Sequence, residues 1–328
     1  MRHVAANALT LLIVIGLVAA GAIAWGVSVY RGPGPSAEDR TVMVARGAGI
    51  GEITAALDAA GVIADPRIFR LGVRYSGQGA SMKFGEYLMP AGASMEEVAT
   101  LLVSGRTVLH RLTVPEGWTV WQVVQAVDAM DVLIGEIETL PAEGMIAPDT
   151  YNVLRGDTRQ AVVDRMASVQ ARILDVAWEN RAPDLPLASK EEALVLASII
   201  EKETAVEGER PMIGGVFVNR LRRGMRLQTD PTVIYGITKG EGVLGRGLRR
   251  SELDRRTEWN TYQIDGLPPT PIANPGRAAI AAAVQPATTD ALYFVADGTG
   301  GHAFSTSLAE HNRNVAAWRK LERERQGN

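Results

Sequence analysis

Glu201 is the residue whose setting points most directly to chemistry. It follows Ala193-Leu-Val-Leu-Ala-Ser-Ile-Ile200, a run without a charged side chain, and such a run reads as a helix buried on all sides. Helical spacing sets Glu201 in line with Ala197 and Ala193, so its carboxyl faces a strip that is small and apolar. That setting disfavours the ionised form and raises the pKa. A general acid working near neutral pH needs that shift. The competing reading is that Glu201 marks the point where the helix surfaces, with Lys202, Glu203 and Glu207 as its solvated end, since charged residues are seldom fully buried. Glu203 projects about 200° away from Glu201 on a helix and is expected to buttress it or to face solvent.

Further polar candidates follow. Asn219, Gln228 and Asp230 lie within Val216 to Gly236, Asn260 and Tyr262 within Trp259-Asn-Thr-Tyr262, and Gly266-Leu-Pro-Pro-Thr-Pro271 forms a rigid loop. Side chains of these types hydrogen-bond sugars. They also cap and brace turns: Asp230 before Pro231 is a common turn or helix cap, and Arg222 and Arg223 suit a helix end. His302 falls in a short hairpin, where a surface position is the more ordinary role.

Composition removes several chemistries. The chain has no cysteine, which excludes disulfides, thiolate metal sites, cysteine nucleophiles and a lipid-modified N-terminal cysteine. Its four histidines, His3, His110, His302 and His311, form no pair at helical spacing, so neither a metal nor another cofactor is expected. A net charge of −3 leaves no basic footprint for nucleic acid. At 328 residues the chain has room for two compact domains and a tail.

The elements that must carry these residues can be read in order. Val4 to Tyr30 contains no charged residue and is long enough to cross a bilayer as a helix, with Trp25 and Tyr30 near one end where aromatic rings favour the interface. Ala22-Ile23-Ala24 could pass for a signal-peptide cleavage site, but the uninterrupted length favours a retained anchor. Arg2 and His3 precede the run and Arg31 follows it, so the positive-inside signal is weak. Residues 32–40, with Pro33 and Pro35, read as a linker.

A weak internal repeat comes next. Gly47, Gly92 and Gly117 each follow a short apolar segment; Gly49, Ser94 and Thr119 stand two residues on, Ile53, Val98 and Val123 six on, and Leu57, Leu102 and Val127 ten on. That pattern predicts strand–turn–helix units with a capping residue at each helix start. It makes 41–130 one or two small α+β modules, unevenly spaced and so no solenoid. Residues 131–328 read as a mainly helical α+β domain with helices at 159–180, from Ser189 onward, at 211–223 closed by Gly224, and from Asn274-Pro275 to Val284. Ala291 to Ala296 and His302 to Ser305 form a hairpin, and Ser307 caps a last helix with a charged, frayed end at Glu322 to Asn328.

At this point the sequence resembles a known family. Ala197-Ser-Ile-Ile-Glu-Lys-Glu-Thr204, Leu227-Gln-Thr-Asp-Pro231-Thr-Val-Ile-Tyr235, Asn260-Thr-Tyr262, Gly266-Leu-Pro-Pro269 and Tyr293-Phe-Val-Ala-Asp-Gly298 are similar to segments of the endolytic murein transglycosylases, the YceG-like or MltG family. Glu143-Gly144 with Pro148-Asp-Thr-Tyr151, Gly300-Gly-His302-Ala-Phe304 and Asn312 match further family segments, so the likeness spans Glu143 to Trp318 in order. Ile200 stands where a valine is usual, Met145-Ile-Ala147 is less aromatic than usual, and Pro269 is followed by Thr-Pro; none of these threatens the catalytic residue.

The resemblance implies a specific activity: cleavage of the β-1,4 MurNAc–GlcNAc bond within nascent peptidoglycan strands, leaving 1,6-anhydro-MurNAc ends and terminating elongation. It places the catalytic glutamate on Glu201, acting first as acid and then as base without a second carboxylate, unlike the paired-carboxylate hydrolases. Asn219, Gln228, Asp230, Asn260, Tyr262 and His302 become candidates for holding sugar acetamido and hydroxyl groups or orienting Glu201. It also implies a LysM-like character for 41–130, a single-pass inner-membrane anchor at 1–31 with a short cytoplasmic end, a periplasmic catalytic domain, and work beside peptidoglycan synthases. The rival readings are a non-catalytic, membrane-anchored peptidoglycan-binding scaffold, a two-carboxylate hydrolase, and a pyridoxal-phosphate lyase. The last needs a cofactor-bearing lysine, and none of Lys83, Lys190, Lys202, Lys239 and Lys320 stands in a recognisable site.

Overall fold

A computed structural model describes residues 2–326. It is a helix-rich α+β protein with three two-stranded sheets among the described residues. The chain divides into two compact units, Met1–His110 with Leu154–Gly156, and Arg111–Val153 with Asp157–Asn328.

The first unit begins with α1 (Arg2–Arg31), whose stretch Leu9–Arg31 is long and apolar enough to cross a membrane. Leu12, Leu17 and Ile23 stand exposed along it. Then come β1 (Arg40–Val44), α2 (Ile50–Ala59), α3 (Pro66–Ser76), β2 (Gly85–Met89) and α4 (Met95–Ser104). β1 and β2 pair antiparallel with Arg40 opposite Met89 and Val44 opposite Gly85. Val42 and Val44 alternate inward from β1 onto Leu57, Phe69, Tyr87 and Leu102, the period-two pattern of a half-buried strand. Glu86 on β2 holds His110 at 2.8 Å and Arg155 at 3.1 Å, which returns 154–156 to this unit. The hydrogen bond from His110, ahead of the Arg155 charge, keeps the Glu86 carboxyl below its ordinary range.

The repeat has a concrete cause. Gly47, Gly92 and Gly117 all adopt left-handed φ values, 80°, 68° and 75°, a conformation that a side chain would strain. Gly49, Ser94 and Thr119 are the N-caps that follow. Ser94 accepts from the Glu97 amide while Glu97 accepts from the Ser94 amide, and Thr119 and Gln122 exchange the same two bonds. The third copy, β3 (His110–Thr113) with α5 (Val120–Asp128), buries its helix elsewhere. Val120, Val123 and Val127 pack with Tyr151 and Val153 of β4 (Thr150–Val153) and Val162 and Met166 of α6 (Arg159–Glu179), in the second unit.

The core of the second unit is α7 (Lys190–Glu203), N-capped by Ser189, in which every residue from Ala193 to Glu201 is buried. It packs among α6, α8 (Arg210–Arg222) and α11 (Arg277–Val284). α9 (Asp230–Thr238) and α10 (Arg250–Asp254) lie between α8 and α11 in sequence. The hairpin β5 (Tyr293–Ala296) and β6 (His302–Ser305) pairs Tyr293 with Ser305 and Ala296 with His302. α12 (Leu308–Gln326) follows, with Ser307 accepting from the Glu310 amide.

Two boundaries depart from expectation. α11 starts at Arg277, not at Asn274-Pro275, because Asn274 is fully buried and spent on cross-links: its Oδ1 accepts from the Ile146 amide at 2.9 Å and its Nδ2 donates to Trp118 O at 2.9 Å. α12 stays helical through Gln326 instead of fraying from Glu322; the last two residues of that expected tail lie outside the described residues.

Candidate active site

α7 ends by presenting two glutamates on different sides. The carboxyl of Glu201 is taken up by protein: Arg210 Nη2 donates to Oε1 at 2.9 Å and the Gly276 amide donates to Oε2 at 2.9 Å. Arg210 also reaches Glu116 Oε2 at 3.0 Å. A side chain on Gly276 would collide with the Glu116 carboxylate. Lys202 adds a bond from its Nζ to Gly117 O at 3.2 Å. Burial pushes the Glu201 carboxyl up, the Gly276 amide and the Arg210 charge pull it back, and the Glu116 charge raises it again. The net direction is upward, as its buried setting led one to expect, but the carboxyl meets polar partners as well as the apolar helix that carries it. It sits in an ion-pair knot joining the turn before α5, the end of α7, the start of α8 and the approach to α11.

Glu203 faces the other way, into a cavity of about 490 Å³ lined by Arg220, Gln228, Asp230, Tyr262, Tyr293 and His302 among others. Its carboxyl has one hydrogen-bond partner among the described residues, the Thr229 hydroxyl, which donates to Oε1. Burial pushes the Glu203 carboxyl up; the Thr229 bond pulls it back, the Asp230 charge raises it, and the charges of His302 and Arg220 lower it. Its place on the last turn of α7 adds to the burial effect, since the carbonyl end of a helix dipole disfavours a negative charge.

The walls of this cavity are fixed by buried polar bonds. Thr229 is held by Thr261, whose Oγ1 accepts from the Thr229 amide at 3.0 Å, and by Thr232, which donates to Thr229 O at 2.8 Å. Gln228 sits at φ 51°, a left-handed conformation unusual for a residue with a side chain. Its amide donates to Thr261 O at 3.2 Å. Tyr262 donates its hydroxyl to Asp230 Oδ1 at 2.7 Å; burial first and the Asp230 bond second push that phenol far above its ordinary range. Arg220 is buried and clamps Leu292 O and Leu227 O, each at 2.7 Å, with burial lowering its pKa. His302 holds Glu209 through Nδ1 at 2.7 Å and through its amide at 2.8 Å. Burial would raise Glu209, but those two bonds keep it below its ordinary value.

Four of the expected substrate residues, Gln228, Asp230, Tyr262 and His302, thus share one cavity. Two do not. Asn219 donates from Nδ2 to Thr289 O and Ala291 O, strapping α8 to the segment before β5. Asn260 is fully buried and donates to the carbonyls of Glu252, Leu253 and Arg255 while accepting from the Tyr262 amide. Neither lines the cavity, and the donor groups of both amides are spent on backbone carbonyls. Glu203, Arg220 and Thr229 were not singled out as site residues by sequence reasoning. For Glu203 the available signal was the 200° helical offset from Glu201, which fixes that the two differ in direction but not which direction holds the cavity.

The outer motifs support this frame. Glu143 accepts from the Val120 amide at 2.9 Å and from the Tyr235 hydroxyl at 3.3 Å. Fully buried Gln170 donates to Gly144 O and Pro275 O, each at 3.0 Å. Ser198 of α7 accepts from the Ile272 amide at 3.0 Å, so the proline-rich loop is pinned to the helix that carries Glu203.

Fold and site together define a helix-rich α+β protein with a carboxyl-bearing cavity. The chain belongs to the YceG-like family, whose model matches residues 42–317. It is 29% identical over 325 residues to a Streptococcus pneumoniae (strain R6) protein named endolytic murein transglycosylase, covering 84% of this chain and 58% of that one. It is 28% identical over 333 residues to a Bacillus subtilis (strain 168) protein of the same name, covering 90% of each. The chain thus spans little more than half the length of the pneumococcal relative. A crystal structure of a yceG-like protein from Listeria monocytogenes superposes with a TM-score of 0.51 at 29% identity, covering 85% of this chain and 99% of that one.

Proposed function

We propose that this chain is an endolytic lytic transglycosylase that cuts the β-1,4 MurNAc–GlcNAc bond inside peptidoglycan strands, with Glu203 in the role that the sequence resemblance assigned to Glu201. The observation that carries the reading is the contrast between the two carboxyls: Glu201 is engaged by Arg210 and Gly276, whereas Glu203 takes one bond from Thr229 and fronts the cavity. Burial raises the Glu203 pKa, which favours the protonated acid, and the proton passes to the glycosidic oxygen as the C1–O bond breaks. The same carboxylate then removes the proton from the muramyl C6 hydroxyl as that oxygen bonds to C1. The products are an anhydro ring and a free 4-hydroxyl, so no water is consumed. The acetamido group of the substrate shields the positive charge at C1. Gln228, Asp230, Tyr262 and His302 line the space in which the sugars would lie.

The names of the pneumococcal and Bacillus relatives favour this activity over a non-catalytic scaffold. A second reading, hydrolysis by two carboxylates, draws on Asp230 in the same cavity. Mass spectrometry of products from purified glycan strands separates them: anhydro ends support the proposal, reducing ends support the hydrolase, and intact strands leave a scaffold. We further infer that α1 is a retained single-pass anchor in the inner membrane with the rest of the chain periplasmic. On this reading the β1–α2–α3–β2 module is LysM-like and contacts glycan, and the enzyme works beside peptidoglycan synthases on nascent strands.

A further inference from the structure

α3 carries a face that its own unit leaves uncovered. Phe69 and Val73 point into the core, while Arg67, Arg70, Leu71, Arg74 and Tyr75 are exposed, Leu71 by 69% and Tyr75 by 95%. Their spacing puts all five on one side of the helix. Among the described residues no acidic side chain pairs with any of the three arginines, and Arg70 spends only its Nε, on Pro66 O at 3.3 Å. An exposed strip of three unpaired arginines beside a leucine and a tyrosine is not what a helix facing bulk water needs.

The neighbour that explains it is α1. Val29 and Tyr30, on the last turn of the apolar helix, pack onto the core of this unit, and Tyr30 lies so close to Gly72 of α3 that a Cβ there would strike its ring. Arg31 is fastened to Glu96 of α4 at 3.3 Å. α3 is therefore docked where the apolar helix ends. On a helix turning about 100° per residue, Tyr75 stands about 60° and Leu71 about 100° from Gly72 on the same side, with the three arginines at about 140–160°. Side chains thus run from apolar to cationic with distance from the anchor contact, the order in which acyl chains give way to headgroups.

We propose that this face of α3 rests on the anionic phospholipid surface of the membrane that α1 enters, with Leu71 and Tyr75 at the acyl boundary and Arg67, Arg70 and Arg74 on headgroup phosphates. The proposal rests on reading α1 as a retained anchor. Its consequence is orientational: a lone spanning helix lets the exported part swivel, and a second attachment beside the exit point fixes how the first unit stands on the membrane. Such contacts act within a Debye length of roughly 8 Å at physiological salt, so they depend on lipid charge and ionic strength.

The absence of cysteine makes the test direct. Full-length Gly16→Cys, Tyr75→Cys and Val243→Cys variants, each with one polarity-sensitive fluorophore, are reconstituted into vesicles of phosphatidylcholine alone or with phosphatidylglycerol, and quenched by spin-labelled lipid. The Gly16 label reports insertion of α1, and the Val243 label, at a position 90% exposed in the second unit, sets the aqueous reference. The expected result is strong quenching at 16 and quenching at 75 at least half as large in phosphatidylglycerol. The signal at 75 should fall to the Val243 level in phosphatidylcholine and when Arg67, Arg70 and Arg74 are all changed to Glu. Quenching at 16 with none above reference at 75 overturns the surface contact and spares the anchor. No quenching at 16 overturns the anchor reading and this proposal with it. A signal at 75 that follows protein-to-lipid ratio and ignores lipid charge would mean that a second copy covers the face, and would also overturn it.

Discussion

Replacing each of the two glutamates of α7 by glutamine separates a catalytic from a structural carboxyl, and the two changes should fail in opposite ways. Glu203→Gln keeps the shape of the side chain and its bond from Thr229 but removes the transferable proton. General acid–base groups contribute roughly 10²- to 10⁴-fold to rate, or about 3–5 kcal/mol of barrier at 1.36 kcal/mol per decade, so strand cleavage should drop by at least two orders of magnitude. Stability should not fall. The buried carboxyl is already disfavoured as an anion, and an amide carries no such penalty. Glu201→Gln has the reverse profile. The carboxylate accepts from both Arg210 and the Gly276 amide, but an amide has one acceptor and turns its NH₂ toward one of those donors. Removing one partner of a buried ion pair costs about 3–5 kcal/mol; Arg210 retains Glu116, which favours about 3. In a unit of this size that lowers Tm by roughly 6–12 °C.

The assay pairs differential scanning calorimetry with release of anhydro ends from purified strands, at a temperature where both variants are folded. The reasoning predicts an inactive Glu203→Gln with wild-type or higher Tm and an active, thermally weakened Glu201→Gln. A Glu201→Gln protein that melts like wild type and cuts nothing, beside a Glu203→Gln protein that still cuts, would refute the assignment and return the chemistry to Glu201.

Other perturbations follow from the same geometry. Thr229→Val deletes the bond that favours ionised Glu203, so its pKa rises further and the alkaline limb of the kcat/KM profile, where the acid loses its proton, moves to higher pH; an unmoved limb would disconnect Glu203 from that limb. Because Glu203 has a folded pKa above its ordinary 4.5, its contribution to stability is intact below the unfolded value and is lost as pH rises through the folded one. The stability advantage of Glu203→Gln in denaturant melts should therefore grow from pH 4 upward and level off above the raised pKa. Tyr262→Phe deprives Asp230 of its phenol partner and should cost about 1.5–3 kcal/mol of stability, the worth of one hydrogen bond to a charged group, together with a lower kcat/KM. Asn260→Ala removes a buried amide that bonds three partly buried carbonyls and should cost about 1–3 kcal/mol of stability, read in urea titration.

Local patterns in the sequence were enough to locate much of the fold. The glycine-based repeat marked left-handed turns and N-caps at all three positions because those are decided within a few residues. The apolar run from Ala193 fixed a core helix for the same reason. The fate of each repeat was not legible: α5 presents the same valine spacing as α2 and α4 present apolar residues, yet it packs on β4 and α6, a choice made by segments later in the chain. The polar candidates divide along the same line. Asn260 and Tyr262 are two residues apart, and nothing in their types says that one will satisfy three carbonyls in a turn while the other reaches across to Asp230.

The case of the two glutamates is the sharpest. A hydrophobic run before a carboxyl says that the backbone is buried, not what the carboxyl will meet. What Glu201 meets is Arg210, which arrives through the short turn after α7, and the amide of Gly276, the N-cap of α11, where a helix leaves its first amides without intrahelical partners. What Glu203 meets is assembled from Thr229, Tyr262 and His302, on three separate elements. An arginine and a backbone amide engage both oxygens of Glu201, whereas Glu203, with a single hydroxyl beside open volume, is the carboxyl we propose as the proton donor. That difference lies wholly in tertiary contacts, so burial, which the apolar run foretold for Glu201 and not for Glu203, does not by itself tell a catalytic acid from a structural ion pair.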